Sequence, residues 1–185
     1  NAGISFDDSG VLMLQSRGHY LTGGPREKHW TLFKQWANFH ENSLFDILGS
    51  RYVMYGEWMF AKHTVFYDML PHYFLEFDIF DKEFSVFLST NQRRHLLHAS
   101  PIESVMTLHE GTIDDLSALQ ELVRPSYFKT GRWRSRLDEQ AVRAGVDPAL
   151  CRKQTDSHDE MEGLYIKVES NGRVIDRLKW VRPSF

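Results

Sequence analysis

Glu162, Arg177 and Lys179 flank Asn171-Gly172, the strongest short hairpin signal in the chain. With those two residues as the loop, Ser170 faces Arg173, Leu164 faces Lys179 and Glu162 faces Val181. Directly opposed residues share one face of a sheet, so Glu162, Arg177 and Lys179 project together, and Lys167 and Asp176 leave from the other side. One carboxylate beside two cations suits a phosphate and its metal ion, although on an arbitrary hairpin such a set is more often a solvated ion-pair face. Other acids stand in strongly apolar company. Glu57 lies in Tyr55-Gly56-Glu57-Trp58, and Glu76 and Asp78 alternate with Leu75, Phe77 and Ile79. A carboxylate inside an apolar strand is costly unless it is paired, hydrogen-bonded or bound to metal. Acids in three such strands shift the balance towards a site.

The elements that carry these residues read as β, then helical, then β again. Gly3 to Phe6 is a strand that turns through Asp7-Asp8-Ser9-Gly10 into a second strand, Val11 to Gln15. From Pro25 to Phe39 the apolar residues Trp30, Phe33, Trp36 and Ala37 fall at helical spacing, and a short helix follows from Ser43 to Leu48, stopped by Gly49. Tyr52 to Met59, Phe74 to Phe80 and Glu83 to Leu88 are aromatic and β-branched, which predicts strands. Thr112, with Asp115 three residues on, predicts a capped helix through Leu122. Ser135 to Ala144 is another helix, and Asp147-Pro148 opens a third with a cap and a proline at its first position. Gly163 to Glu169 and Arg173 to Trp180 form the final hairpin. The fold class is therefore α+β, with antiparallel sheets and a helical insertion over residues 90–160 inside one domain spanning 1–185.

The 185 residues are 42% hydrophobic, 14% aromatic and 25% charged, which excludes disorder as a description of the whole. The longest aromatic region, Val65 to Phe80, is broken by Asp68, Pro71, His72, Glu76 and Asp78, so no membrane span is expected. A single cysteine, Cys151, can form neither an internal disulfide nor a cysteine-based zinc site, which favours a reducing, cytoplasmic setting. Net charge is −3, so any nucleic acid must be held by a local cluster rather than by the whole surface. The histidines show no paired metal spacing, and His63 and His72 read as surface or hydrogen-bonded residues. Arg132-Trp133-Arg134 with Arg136 is either an RNA-backbone contact or, more commonly, a solvated helix face. The chain opens almost at once in a strand and stops straight after another, which predicts a fragment of a longer protein. Oligomeric state leaves no mark on the sequence.

Five segments, in order, resemble the nucleotidyltransferase motifs of ATP-dependent RNA ligases, closest to the RNA ligase 2 type. They are Gln15-Ser16-Arg17-Gly18, Tyr55-Gly56-Glu57, Phe74-Leu75-Glu76-Phe77-Asp78-Ile79, Glu162-Gly163-Leu164-Tyr165-Ile166-Lys167 and Arg177-Leu178-Lys179-Trp180. The resemblance implies a nucleotidyltransferase domain of the ATP-grasp-like ligase type. Two departures stand out. The family's nucleophilic lysine is followed three residues later by glycine, and none of Lys28, Lys34, Lys62, Lys82, Lys129, Lys153, Lys167 and Lys179 is. Asn1 resembles the last residue of that motif, which places the nucleophile upstream of it. The family's second lysine of the last motif corresponds to Val181, with Arg182 next to it.

The resemblance further implies transfer of AMP from ATP through a lysyl-AMP intermediate to a 5′-phosphate RNA end, then sealing to a 3′-hydroxyl. Glu57, Glu162 and Lys179 are the expected catalytic residues, with Glu162 and Glu57 on Mg2+ or Mn2+. Arg17, Glu57, Phe77, Lys179 and Arg182 would bind the nucleotide, Phe77 by stacking on adenine; Asn1, Asp78 and Lys167 are supporting residues. Expected partners are RNA ends and ATP. Two alternatives stay open: a DNA ligase or mRNA-capping-type nucleotidyltransferase with the same motifs, or a catalytically inactive nucleotide- or RNA-binding module.

Overall fold

A computed structural model describes residues 1–62 and 64–185, with Arg26 described by its backbone alone; His63 lies outside the described residues. The fold is mixed, with one large antiparallel sheet and several short helices. The chain divides into two compact units. The first comprises Asn1–Ala61, His72–Val105 and Lys167–Arg177, and the second Lys62–Pro71, Met106–Ile166 and Leu178–Phe185.

In the first unit the sheet begins with the hairpin of β1 (Ala2–Phe6) and β2 (Leu12–Ser16). Asp7 closes its turn by accepting through Oδ1 from the backbone N–H of Ser9 and of Val11, each at 2.9 Å. β1 also pairs with β3 (Tyr52–Trp58), which pairs in turn with β4 (Phe74–Asp81). Every residue of β1 is buried, as the middle strand of three should be. β5 (Val86–Leu88) follows β4 and pairs with the strand of the final hairpin nearer to it, so the sheet order is β2-β1-β3-β4-β5-β7-β6. Strands β6 (Gly163–Ser170) and β7 (Arg173–Val181) are joined by Asn171 and Gly172 at φ 50° and 77°, the double positive φ of a two-residue hairpin turn.

Two helices, α1 (Thr31–Phe39) and α2 (Glu41–Leu48), supply Phe33, Ala37, Leu44 and Leu48 to a core completed by Ile4, Phe6, Met54, Phe74 and Ile79. Phe33 is fully buried among Trp30, Trp36, Trp58 and Phe74, with ring centroids 5.1–6.1 Å away. Burial of one such side chain stabilises the fold by roughly 1.5–3 kcal/mol.

Several expectations shift in detail. The long helix from Pro25 is a tight 3-10 turn to Trp30 before α1 begins, and no side chain caps its start at Gly24. The strand expected from Glu83 starts at Val86, because Asp81 Oδ1 captures the backbone N–H of Glu83 at 2.9 Å and of Phe84 at 3.3 Å, holding a turn there.

In the second unit, α4 (Leu116–Gln120) is capped by Asp115 rather than Thr112, the carboxylate accepting from Ala118 N–H at 2.8 Å. The unit is otherwise built on α5 (Trp133–Arg143) and α6 (Pro148–Lys153). Trp133, Leu137 and Ala141 recur one turn apart and form the buried stripe of α5. Asp147 caps α6 as expected, accepting from Ala149 N–H at 2.9 Å. The remaining helix, α3 (Thr90–Leu96), belongs to the first unit and is capped by Ser89. Among the described residues, no helix is long and apolar enough to cross a membrane.

Candidate active site

Glu57 in the first unit is aimed by its neighbour. The β3–β4 register slips between Tyr55 and Gly56, so that Tyr55 faces Asp78 and Gly56 faces Glu76. A Cβ on Gly56 would come within 2.8 Å of the Leu75 carbonyl oxygen and press into the Phe74 ring. Glycine is therefore what lets the two strands close at this irregularity, and irregularities of this kind re-aim the side chain beside them. Ala2 pairs with Gly56, which brings Asn1 beside Glu57; the Asn1 amino nitrogen is 3.5 Å from Glu57 Oε2. Arg17 is exposed on the wall of a cleft of about 670 Å³ that Asn1, His19, Glu27, His29 and Trp30 also line.

Glu76 and Asp78 are buried, and the surrounding chain satisfies them. Glu76 accepts from Arg93 Nε at 2.7 Å and Nη2 at 2.6 Å, and from Ser104 Oγ at 2.7 Å. Burial works against the Arg93 charge, but the Glu76 hydrogen bonds outweigh it and hold the guanidinium above its ordinary pKa. The backbone of Glu76 bonds to Glu103 and Val105 on its far side, each at 2.8 Å, which holds Ser104 against the carboxylate. Asp78 lies 2.7 Å from Lys167 Nζ and 3.6 Å from Arg177 Nη1. Lys167 also donates to the carbonyl of half-buried Phe77, and Arg177 stands 4.0 Å over the Phe87 ring. Burial, then the nearby Arg93 cation, pushes Lys167 below its ordinary pKa, with Asp78 opposing.

The convergence of Lys167 and Arg177 on Asp78 corrects the hairpin expectation that set them on opposite faces. Alternation fixes how a Cβ leaves its strand, not where a four-carbon side chain ends. A carboxylate only 2% exposed needs cations, and long side chains bend to meet it.

In the second unit, Lys179 Nζ donates to Glu162 Oε1 at 2.7 Å, as the register of the hairpin requires. Both side chains remain partly open to solvent, at 64% and 35%. The pair is set by Gly163, where a Cβ would collide with the Trp180 carbonyl oxygen and come within 2.9 Å of Val181 Cα. Arg182 is buried. It pairs with Asp156 through Nη2, donates from Nε to Met161 O at 3.1 Å and from Nη1 to Ser184 Oγ at 2.6 Å.

Trp133, within the Arg-Trp-Arg run, is a core residue only 3% exposed, so its ring is no stacking platform for RNA. Its indole N–H donates to Asp159 at 2.7 Å, and Lys129 and Arg134 each lie 4.4 Å from its ring. Arg134 and Arg136 pair with Asp159 and Asp68. His72 is hydrogen-bonded, accepting from Phe74 N–H at 3.0 Å.

Thus Asn1 with Glu57 and Asp78 with Lys167 are brought together in the first unit, which also holds Arg17 and Phe77, and Glu162 with Lys179 in the second. Arg93, Ser104 and Asp156 leave no signal in the sequence: one of two adjacent arginines in a short helix, a serine in a loop and an aspartate in a polar run all read as surface. Among the described residues, no three carboxylate, histidine or cysteine side chains gather to hold a metal ion. A cation held by one Glu162 oxygen, water and a bound phosphate fits the donors present, since magnesium commonly takes one or two carboxylates and leaves the rest to water and phosphate.

A model of the RNA ligase family matches residues 1–181. Comparison with curated proteins and with solved structures finds no match.

Proposed function

The chain belongs to the RNA ligase family, and from that premise we propose that it is the adenylyltransferase portion of an ATP-dependent RNA ligase. The observation that carries this reading is the Glu162–Lys179 pair, 2.7 Å apart and open to solvent, Glu162 just before β6 and Lys179 on β7, with Gly163 allowing the strands to close. A cation and a carboxylate displayed together are what a nucleoside triphosphate and its divalent ion require.

The reaction is three displacements at phosphorus. A lysine amine attacks the α-phosphorus of ATP and pyrophosphate leaves. The 5′-phosphate oxygen of an RNA end then attacks the AMP phosphorus and releases the lysine. Last, a 3′-hydroxyl attacks the activated 5′-phosphate, and AMP leaves. Such transfers depend on positioning and on neutralising charge as it moves between oxygens. Lys179 would hold the α-phosphate, Glu57 and Arg17 the ribose or the 5′-phosphate, and Phe77 the adenine face. Base stacking on an aromatic ring is worth about 1–3 kcal/mol. Asp78 anchors Lys167 and Arg177, and Lys167 also donates to the Phe77 carbonyl, which supports that strand. A bound Mg2+ or Mn2+ would withdraw charge from the phosphoryl oxygens and so favour attack.

The test is nucleotide and substrate choice by the full-length protein. ATP should label it covalently where GTP does not, and a 5′-phosphate RNA nick should be sealed in preference to a DNA nick. Equal labelling by GTP would move the protein to the capping type. Selective sealing of DNA would move it to the DNA ligases, and nucleotide binding without labelling to a binding module.

A further inference from the structure

Asp156 sits where the segment before Glu162 meets the end of β7. Its carboxylate accepts from Arg182 Nη2 and from His158 Nδ1, the latter at 2.9 Å, while its backbone N–H donates to Thr64 O at 2.7 Å. Arg182 uses Nη1 on Ser184 Oγ at 2.6 Å and two further donors on the short stretch before β6. Nε bonds Met161 O at 3.1 Å, and the backbone N–H bonds Glu162 O at 3.0 Å. One arginine thus grips two consecutive carbonyls, those of Met161 and Glu162. On the next residue, Gly163 is pressed against Trp180.

We propose that Asp156 and Arg182 act as a pair of positioning residues for Glu162. Asp156 fixes the guanidinium, the guanidinium and backbone of Arg182 fix the 161–162 peptides, and Glu162 is thereby held within reach of Lys179. Arg182 therefore supports the carboxylate from behind rather than binding a phosphate. Its exposure, 6%, and the bonding of all three of its side-chain nitrogens to the surrounding chain are those of a buttress. A neutral partner in place of Asp156 would leave a buried guanidinium poorly satisfied and free to turn.

The inference rests on Glu162 acting in AMP transfer, and its test includes that residue. In the full-length protein, single-turnover AMP transfer and ATP affinity are measured for Asp156→Asn, Arg182→Gln, Arg182→Lys, the Asp156→Asn/Arg182→Gln double variant and Glu162→Ala. Mn2+ binding is followed in parallel by the paramagnetic resonance signal of the free ion. Asp156→Asn and Arg182→Gln should each slow transfer about 10- to 100-fold, the scale set by misplacement of a reacting group by about 1 Å. Each should weaken Mn2+ binding and leave ATP affinity nearly unchanged. The double variant should be no slower than the slower single one, because the two residues act as a unit. Arg182→Lys should recover part of the loss. Where Asp156→Asn melts early, Arg182→Lys, which keeps the charge and forfeits the forked bonding, carries the same comparison.

Weaker ATP affinity in Arg182→Gln alone, or losses that multiply in the double variant, would overturn the proposal. Inactive Glu162→Ala beside normal Asp156→Asn would overturn it while sparing the reading beneath. Fully active Glu162→Ala would remove that reading itself.

Discussion

A methyl group placed on Gly163 perturbs the candidate site without touching any charged atom. In the structure that methyl would overlap the Trp180 carbonyl oxygen and lie 2.9 Å from both the Trp180 carbonyl carbon and Val181 Cα. All of these are backbone atoms, so no side chain can swing aside to relieve the clash, and the two strands must part. Relief calls for a displacement of about 1 Å, which for a positioned reacting group is worth about 100-fold in rate. It acts directly on the 2.7 Å contact between Glu162 and Lys179, which are the chain neighbours of Gly163 and Trp180. The expected stability loss is the ordinary cost of overpacking, about 1–3 kcal/mol. The assay is single-turnover AMP labelling of full-length Gly163→Ala, read beside its urea transition. A folded variant that labels at the parental rate would refute the reasoning, because the strand approach would then be irrelevant to the site.

Other perturbations probe the supporting structure. Arg93→Met leaves the Glu76 carboxylate, 0% exposed, with Ser104 as its remaining side-chain partner, and should cost about 3–5 kcal/mol in urea unfolding; a loss under 1 kcal/mol would contradict the buried pair. Asp81 supplies an acid dependence: burial opposes its charge, but Arg51 and the backbone N–H groups of Phe84 and Glu83 hold its carboxyl below the ordinary 3.8. A carboxyl depressed on folding contributes its full stability above the unfolded value and loses it as pH falls through the lower folded one. Stability should therefore decline below pH 3.8, and the decline should be shallower in Asp81→Asn; equal slopes would show that Asp81 does not report the transition. Asp147→Ala should remove about 1 kcal/mol through loss of the α6 cap, visible as a lowered thermal midpoint, and an unchanged midpoint would argue that the cap is idle.

Local chemistry was legible in the sequence wherever it acts at short range. Asn171-Gly172 specifies its turn through two positive φ angles, and Asp147-Pro148 specifies a helix start. The aromatic and β-branched residues of Tyr52 to Met59 and Phe74 to Phe80 mark two strands, found at Tyr52–Trp58 and Phe74–Asp81, and the hairpin register correctly joins Glu162 to Lys179. What escaped was decided by contacts distant in the chain. Glu76 announces a buried acid needing a partner, yet nothing in the sequence selects Arg93 from among the arginines, because the choice depends on where α3 docks. Arg182 reads as a free cation until Asp156, 26 residues away, is seen to hold it. Strand parity sets Lys167 and Arg177 on opposite faces, yet both reach Asp78, because parity governs Cβ directions and a buried carboxylate attracts the whole flexible length of a lysine.

Glu162 and Lys179 are proposed as the working pair of an AMP-transferring site. The most direct measurement of that role is covalent labelling of the full-length protein by ATP radiolabelled at the α-phosphate, with and without divalent metal, in parental, Glu162→Ala and Lys179→Ala forms. The parent should form a metal-dependent lysyl-AMP adduct, with at least a tenfold loss in each variant, taking ~1.4 kcal/mol as the least such a contact contributes. No adduct in the parent, or undiminished labelling in both variants, would contradict it.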